Sequence, residues 1–323
     1  MTQVIGIDLG GTAIKLGRFS EDGICHQSLT VPTPQPATPD AVLATITDAI
    51  LQLQTPPFLK GGLGEDQIRA IGIGTPGPVD AIGRIARVAI NLKNWHNIPL
   101  ADWLEAKTGL RTILANDANC AGLGEAWLGA GRHFKNLILL TLGTGVGGAV
   151  ILDGKLFAGH LGAAGELGLI AINPDGPECN SGNRGSLEQY VSVQAIRRET
   201  GLEPLELANL AKSGNAKALE YWQSYGRYLG IGLASIIYIL TPEAIIIGGG
   251  ISAAAEFFLP TVRSEIERRV LPSSRENLQL LVAELGNQAG MVGAAKLAFM
   301  QYSGNGEWAS GIGHRALVIG TNK

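Results

Sequence analysis

"VIGIDLGGTAIKLGRF", residues 4–19, decides the fold. An apolar run carrying Asp8 near its end meets a Gly-Gly-Thr turn at residues 10–12 and resumes as a second apolar run. That pattern predicts two strands closed by a tight turn. The stretch has an echo in "LILLTLGTGVGGAVIL", residues 137–152, which again reads strand, glycine- and threonine-rich turn, strand. Each half of the chain opens with the same device, so a duplicated α/β fold is expected.

The turns themselves carry chemistry. Where glycines leave no Cβ in the way and positive φ angles cost little, backbone N–H groups can converge on an anionic oxygen. Gly10, Gly11 and Thr12 fit that use, and so do Gly143, Thr144, Gly145 and Gly147. A third cluster, Gly248-Gly249-Gly250, follows an Ile-rich run. Lys15 supplies a cation near the phosphates, and Asp8 at a strand end can hold water around Mg²⁺, an ion that keeps several of its waters. One such turn alone reads as simple hairpin closure; three clusters at sheet ends point to a nucleotide. The first turn lacks both the GxxxxGK[ST] spacing and a GxGxxG opening a helix, which argues against a P-loop protein and a dehydrogenase.

Further along, a Pro-rich loop "PTPQPATPD" (32–40) leads into "DAVLATITDAILQL", whose apolar spacing predicts a helix capped by Asp40. A second loop, "TPPFLKGGLGEDQ", precedes the buried strand "IRAIGIGTPG" and then the strand "RTILAND". The later half predicts helices at "LEQYVSVQAIRRET", "AKALEYWQSYGRYLGIGLASIIYIL", "SAAAEFFLPTVRSEIERRV" and "AGMVGAAKLAFMQ", with strands "EAIIIGGG" and "LQLLVAEL" between them.

Composition bounds the function. With 323 residues, 46% hydrophobic and 16% charged, the chain can bury a sizeable core and has the length of two domains. A net charge of −3 without a dense Lys/Arg cluster argues against a nucleic-acid surface. The N-terminus has no secretory pattern, and "IGLASIIYIL" is too short and Gly-rich to span a bilayer, so a cytoplasmic protein is expected. Cys25, Cys120 and Cys179 are too few and too scattered for a disulfide framework.

In "LANDANCAGLGEAWLGAG" (114–131), Asn116 and Asp117 stand where a strand ends and a helix begins. Asp117 alone reads as a helix N-cap. A carboxylate there can equally accept the proton of an alcohol attacking a γ-phosphate.

Taken together and in order, "GIDLGGTAIKLG", "GIGTPGPVD", "NLKNW", "LANDANCAGLGE", "LGTGVGGAVILDGKL", "GAAGELG", "CNSGNRGSLEQY" and "IIIGGGIS" resemble the motifs of the ROK family (repressor, open reading frame, kinase), in particular its bacterial glucokinases, over about residues 4–300. The resemblance implies an actin-like, ribonuclease H-type fold of two lobes, with ATP and a hexose meeting in the cleft, and a homodimer. The lobes are expected at 1–118, with the segment at about 301–323 returning to it, and at 119–300. Asp117 matches the family's base on the sugar 6-hydroxyl. Asn91, Asn116, Glu166 and Glu188 match positions that bind sugar hydroxyls, while Gly249 and Gly250 join the phosphate turns. Apart from the resemblance, Glu166 reads as a solvated loop acid and Glu188 as a first-turn helix acid favoured by the macrodipole.

"PECNSGNRGSLEQY", residues 177–190, has the outline of a zinc knuckle. Zinc-bearing members of the family place a His after "GELG" and three Cys nearby; here those positions hold Leu169, Cys179, Ser181 and Ser186. One thiol and neutral hydroxyls do not make a tetrahedral zinc site, so no structural zinc is expected. Ser186 and Gln189 fit a capping box for the next helix, and Leu169 and Leu187 are expected to fill the space of the ion. His160 and His96 read as surface or packing residues, and Arg184 as an exposed turn residue.

The expected activity is ATP- and Mg²⁺-dependent phosphorylation of a hexose, glucose first. Rivals are another hexose or N-acetylhexosamine, polyphosphate as donor, a catalytically silent sugar-binding module, and a sugar-sensing repressor. The last is disfavoured because the first turn begins at Gly10, leaving no room for a DNA-binding segment before it.

Overall fold

The computed structural model describes residues 2–54, 67–89 and 92–302. Strands β1 (Gln3–Leu9), β2 (Ala13–Ser20) and β3 (Cys25–Pro32) form an antiparallel meander. After helix α1 (Pro39–Gln54), strand β4 (Ile68–Thr75) pairs parallel to β1. A small hairpin, β5 (Ala86–Val88) with β6 (His96–Ile98), and helix α2 (Leu100–Thr108) lead to β7 (Arg111–Asn116), parallel to β4. The sheet order is β3-β2-β1-β4-β7.

The second half repeats this plan. Helix α3 (Asp117–Trp127) is followed by β8 (Leu137–Leu142), β9 (Val146–Leu152) and β10 (Lys155–Leu156), then by helices α4 (Glu188–Val191), α5 (Val193–Thr200), α6 (Pro204–Lys212) and α7 (Ala216–Leu240). Strand β11 (Ala244–Gly248), helix α8 (Ala255–Arg269), β12 (Gln279–Val282) and helix α9 (Ala289–Tyr302) complete it. The order β10-β9-β8-β11-β12 matches the first sheet strand for strand, with the same antiparallel and parallel pairings. The duplication read from the two glycine turns is therefore a duplication of whole sheets.

Burial explains the elements. In α1, Val42, Ile46, Ala49, Ile50 and Leu53 are buried at helical spacing, and each large aliphatic among them contributes about 1.5–3 kcal/mol. Its start is held by Thr38, whose Oγ1 accepts the Ala41 N–H at 3.4 Å, rather than by Asp40, which lies inside the first turn. The helix expected at 187–200 is two, because Ser192 adopts extended backbone and caps α5 through Oγ and the Ala195 N–H. Trp222, Tyr225 and Phe258 pack face and edge where α7 meets α8. No helix among the described residues is long and apolar enough to cross a membrane.

The two halves are joined by an exchange of helices. Helix α3 follows the last strand of the first sheet yet packs on β8 and β9 of the second; α9 follows the last strand of the second yet packs on β1 and β4 of the first. The two helices cross at backbone contact. An added Cβ at Gly293 would collide with the Cys120 carbonyl, and one at Gly124 with that of Ala289. Residues 55–66, expected as a loop, and residues 303–323, with their expected return to the first lobe, lie outside the described residues.

Candidate active site

A cleft of about 620 Å³ opens between the sheets, and most of the residues singled out by the sequence line it. Asp8 and Lys15 face each other across the β1–β2 register, with Lys15 Nζ 3.3 Å from Asp8 Oδ2 and donating to the Asn287 carbonyl at 2.9 Å. Gly143, Thr144, Gly145 and Gly147 come from the β8–β9 turn, and Gly249 and Gly250 from the end of β11. Asp117 and Glu188 complete the lining. Gly10, Gly11 and Thr12 form the β1–β2 turn, locked by the Gly10 N–H to the Ala13 carbonyl (3.0 Å) and by Thr33 Oγ1 to the Gly10 carbonyl (2.6 Å), but they are not among the lining residues.

The glycines work by close approach. Gly10, Gly11, Gly143, Gly145 and Gly147 have ordinary φ angles, so the expected need for left-handed backbone is corrected at both turns. At Gly145 a Cβ would lie 2.5 Å from Glu188 Oε2, and at Gly147 one would lie 2.6 Å from Thr141 Oγ1. Gly249 differs: at φ +82° its backbone needs glycine, and a Cβ there would strike the Leu142 backbone.

At the floor, β7 delivers Asn116 and Asp117 to the start of α3. The cap is Asn116, whose Oδ1 accepts the N–H groups of Ala118 (2.9 Å) and Asn119 (3.3 Å) while its Nδ2 donates to the Gly77 carbonyl (3.2 Å). The N-cap reading of Asp117 is thereby overturned. Asp117 is the first helical residue, accepts one N–H from Ala118 at 2.8 Å, and otherwise faces the cleft. Its surface is accessible along the cleft, but its surroundings are mostly protein. That burial, with the Asp8 charge adding to it, raises its pKa above the ordinary value, against the lowering effect of the Ala118 N–H. Glu166 is exposed at the surface, but the protein crowded around it raises its pKa as well, helped by the charges of Asp117 and Glu188. Glu188 is oriented by the Val146 N–H, which it accepts at 2.9 Å. The charges of Asp117 and Glu188 thus reach Glu166, which like Asn116 is not among the residues lining the cleft, while Glu188 itself sits against the β8–β9 glycine turn. Asn91 lies outside the described residues.

The loop at 177–187 is held by its own backbone: Cys179 N–H to the Asn183 carbonyl (2.8 Å), Gly185 to Pro177 (2.7 Å) and Leu187 to Ile170 (2.9 Å). The expected capping box is absent. Leu187 occupies the N-cap of α4 without a side-chain bond, and Gln189 donates to the Ser186 carbonyl instead. Burial would raise the Cys179 thiol, but the Ser181 hydroxyl and Ser181 backbone beside it bring it below the ordinary value. Ser186 Oγ, fully buried, makes no well-formed hydrogen bond of its own. Leu187 fills the interior, whereas Leu169 is only partly buried. Among the described residues, no three His, Cys, Asp or Glu side chains group closely enough to hold a metal ion. His160 is exposed, His96 sits exposed on β6, and Arg184 is exposed and pairs with Glu178 at 3.1 Å.

The comparisons with known proteins agree with this geometry. Residues 4–301 match the ROK family. The chain belongs to the ROK family. It is 35% identical over 315 residues to the glucokinase of Thermotoga maritima, covering 91% of this chain and 96% of that one. A ROK family glucokinase from Streptomyces griseus, solved in complex with glucose and AMPPNP, aligns at TM-score 0.74 and 34% identity over 92% of this chain and 99% of that one. The family relatives are not all kinases: the xylose repressor of Bacillus spizizenii is 30% identical over 92% of this chain and 77% of its own length. The fold of this ROK protein is the actin-like, two-lobe sugar kinase fold, with its duplicated sheets flanking the cleft.

Glu125 and Asn287 are among the lining residues that sequence reading did not single out. Glu125 lay in a quoted motif as a lone charge among Ala, Gly and Leu, a signal that was there to be used; Asn287 acts through its carbonyl, which no motif records.

Proposed function

We propose that this ROK protein is an ATP-dependent sugar kinase that phosphorylates a hexose on its 6-hydroxyl, with glucose as the preferred substrate. The observation that carries this reading is a proton acceptor, Asp117, in the same cleft as two glycine clusters and the Asp8–Lys15 pair. Asp117 takes the proton of the sugar hydroxyl as its oxygen bonds to the γ-phosphorus and the bond to the ADP oxygen breaks. Asn91, Asn116, Glu166 and Glu188 bind the remaining hydroxyls, and closure of the lobes at 1–118 and 119–300 keeps water from competing. Backbone N–H groups of Thr144 and Gly145 in the β8–β9 turn and of Gly249 and Gly250 receive the phosphates together with Gly11, Thr12 and Lys15, while Gly10, Gly143 and Gly147 shape the turns, the Gly10 N–H being given to the Ala13 carbonyl and the Gly143 N–H to the Gly145 carbonyl.

Asp8 fits a metal-bearing nucleotide, since Gly290 keeps its carboxylate open and a Cβ there would crowd Asp8 Cγ at 3.0 Å. Asp8 would hold a water of the Mg²⁺, which supplies charge neutralisation on the β- and γ-phosphate oxygens. The loop at 177–187 is read as zinc-free, held by the backbone bonds above.

A coupled assay with ATP and Mg²⁺ over a panel of hexoses tests the reading. Glucose is expected to give the highest kcat/KM, with the rate unchanged by a zinc chelator when Mg²⁺ is in excess. A higher value for mannose, fructose or an N-acetylhexosamine would reassign the substrate, and chelator sensitivity reversed by zinc would refute the zinc-free loop. Sugar binding without turnover would favour the second reading, a sugar-responsive regulator, to which the similarity to the xylose repressor points.

The raised carboxylates give the pH dependence a sign. Asp117 must be ionised to accept a proton, so kcat/KM is expected to fall on acidification with a midpoint above the ordinary aspartate value of about 3.9. Stability moves the other way for these groups. A pKa raised by folding means that Asp117 and Glu166 contribute stability below the unfolded value and lose it as pH rises through the folded one. A pH–rate profile flat down to about pH 4 would contradict the assignment.

A further inference from the structure

Glu125 lies on α3 on the cleft floor, eight residues beyond Asp117, and has no exposed surface. Its Oε1 accepts the Leu285 N–H at 2.8 Å, and its Oε2 accepts the N–H groups of Ala130 (2.9 Å) and Glu284 (3.2 Å). A buried carboxylate persists only when such donors surround it, and bonds of this charge-assisted kind are roughly twice as strong as neutral ones. Two of the three donors belong to the segment that follows β12. That segment runs along one wall of the cleft through Asn287 to Gly290. The Asn287 carbonyl in turn accepts from Lys15 Nζ at 2.9 Å, and Lys15 pairs with Asp8. An unbroken series of polar contacts therefore runs from the second lobe, through a main-chain segment, to the cation on the first.

We propose that Glu125 is a positioning residue for the phosphoryl donor: it fixes residues 284–287 so that the Asn287 carbonyl holds the Lys15 ammonium over the phosphate site. The proposal rests on the kinase reading above. Glu125 touches neither substrate; it acts through Lys15. Replacing it by Gln puts an NH₂ group against one of the backbone N–H donors, loosening the segment without changing side-chain volume.

The test measures KM for Mg·ATP, KM for glucose and kcat in Glu125→Gln, Lys15→Met and the double variant. Glu125→Gln is expected to raise KM for Mg·ATP about tenfold, equivalent to about 1.4 kcal/mol, with KM for glucose within twofold. In the Lys15→Met background the same change should raise KM for Mg·ATP less than twofold, because the group it positions is gone. A full tenfold effect in both backgrounds, parallel rises for nucleotide and sugar, or an unchanged KM for Mg·ATP would overturn the proposal. Should Glu125→Gln fail to fold, Leu285→Pro removes one of the three donors while keeping the carboxylate, at a backbone φ of −83° that proline accepts. It should give a smaller shift of KM in the same direction, and an unchanged value would overturn the proposal. If the wild type turns over no sugar, the kinase reading fails alone; calorimetric titration of the same variants with Mg·AMPPNP then decides the positioning role by the same fold-changes in Kd.

Discussion

Asp117→Asn is expected to lose most of the turnover, roughly 10²–10⁴-fold, the range for removal of a general base, while the protein keeps its fold and its affinity for glucose. The geometry separates these effects. The helix start does not depend on Asp117, because Asn116 caps α3, and an Asn at 117 retains the oxygen that accepts the Ala118 N–H. What the substitution removes is the proton acceptor. It also removes a charge that burial and Asp8 disfavour and that in turn raises the pKa of Glu166. The apo variant should therefore melt at or above the wild-type temperature, the behaviour expected of a catalytic group whose charge is held against its own stability. Steady-state kinetics, glucose titration and a thermal melt on the same preparation check all three. Near-wild-type turnover would remove Asp117 from the chemistry, and a large fall in Tm would make its role structural.

The second large effect concerns the helix crossing that joins the lobes. Gly293 faces the backbone of α3, where an added Cβ would overlap the Cys120 carbonyl and lie 2.7 Å from the Gly124 nitrogen. A glycine inside a helix costs about 1 kcal/mol relative to alanine, so close packing accounts for its presence. Main chain cannot yield as a flexible side chain can. Gly293→Val is expected to destabilise by about 3 kcal/mol or more, at the upper end for overpacking, which at roughly 1.5 °C per kcal/mol for a chain of this length lowers Tm by about 4–5 °C or more. Gly250→Ala is the comparison, because a Cβ there meets nothing within 4 Å, and its melt should match the wild type. A Gly293→Val protein melting with the wild type would show that α3 and α9 can separate, contrary to the crossing described.

Much of this was legible in the sequence where the signal is local. The two strand–turn–strand stretches at 4–19 and 137–152 run apolar, turn at glycines and resume apolar within sixteen residues, so their pairing needs no distant partner. The placement of β4 and β11 beside the first strand of each sheet depends on pairings across whole intervening elements, β2, β3 and α1 in one half and β9, β10 and α4 to α7 in the other, which periodicity does not encode. Caps were misplaced at Asp40 and Asp117 because a nearby residue with its own side-chain oxygen took the role, Thr38 in one and Asn116 in the other. At Ser186 the expected box failed differently, since Leu187 holds the N-cap position with no side-chain bond at all. Ser192 broke a helix whose apolar pattern continued past it, because its side chain caps the following turn. The carboxylate group at Asp117, Glu166 and Glu188 came from motifs far apart in sequence, and only the fold brings their charges within influence of one another. Helices α2 and α6, only nine residues each, were not anticipated.

The central claim is that this cleft moves the γ-phosphate of ATP to a sugar hydroxyl with Asp117 as base. Phosphorus-31 NMR of the wild type with ATP, Mg²⁺ and glucose tests it most directly. The γ-phosphate signal should decay in step with a growing phosphomonoester signal coupled to the protons on carbon 6 of the sugar, and neither change should occur with Asp117→Asn over the same interval. Release of inorganic phosphate at the same rate with and without glucose, or unchanged ATP in the presence of bound glucose, would contradict the account.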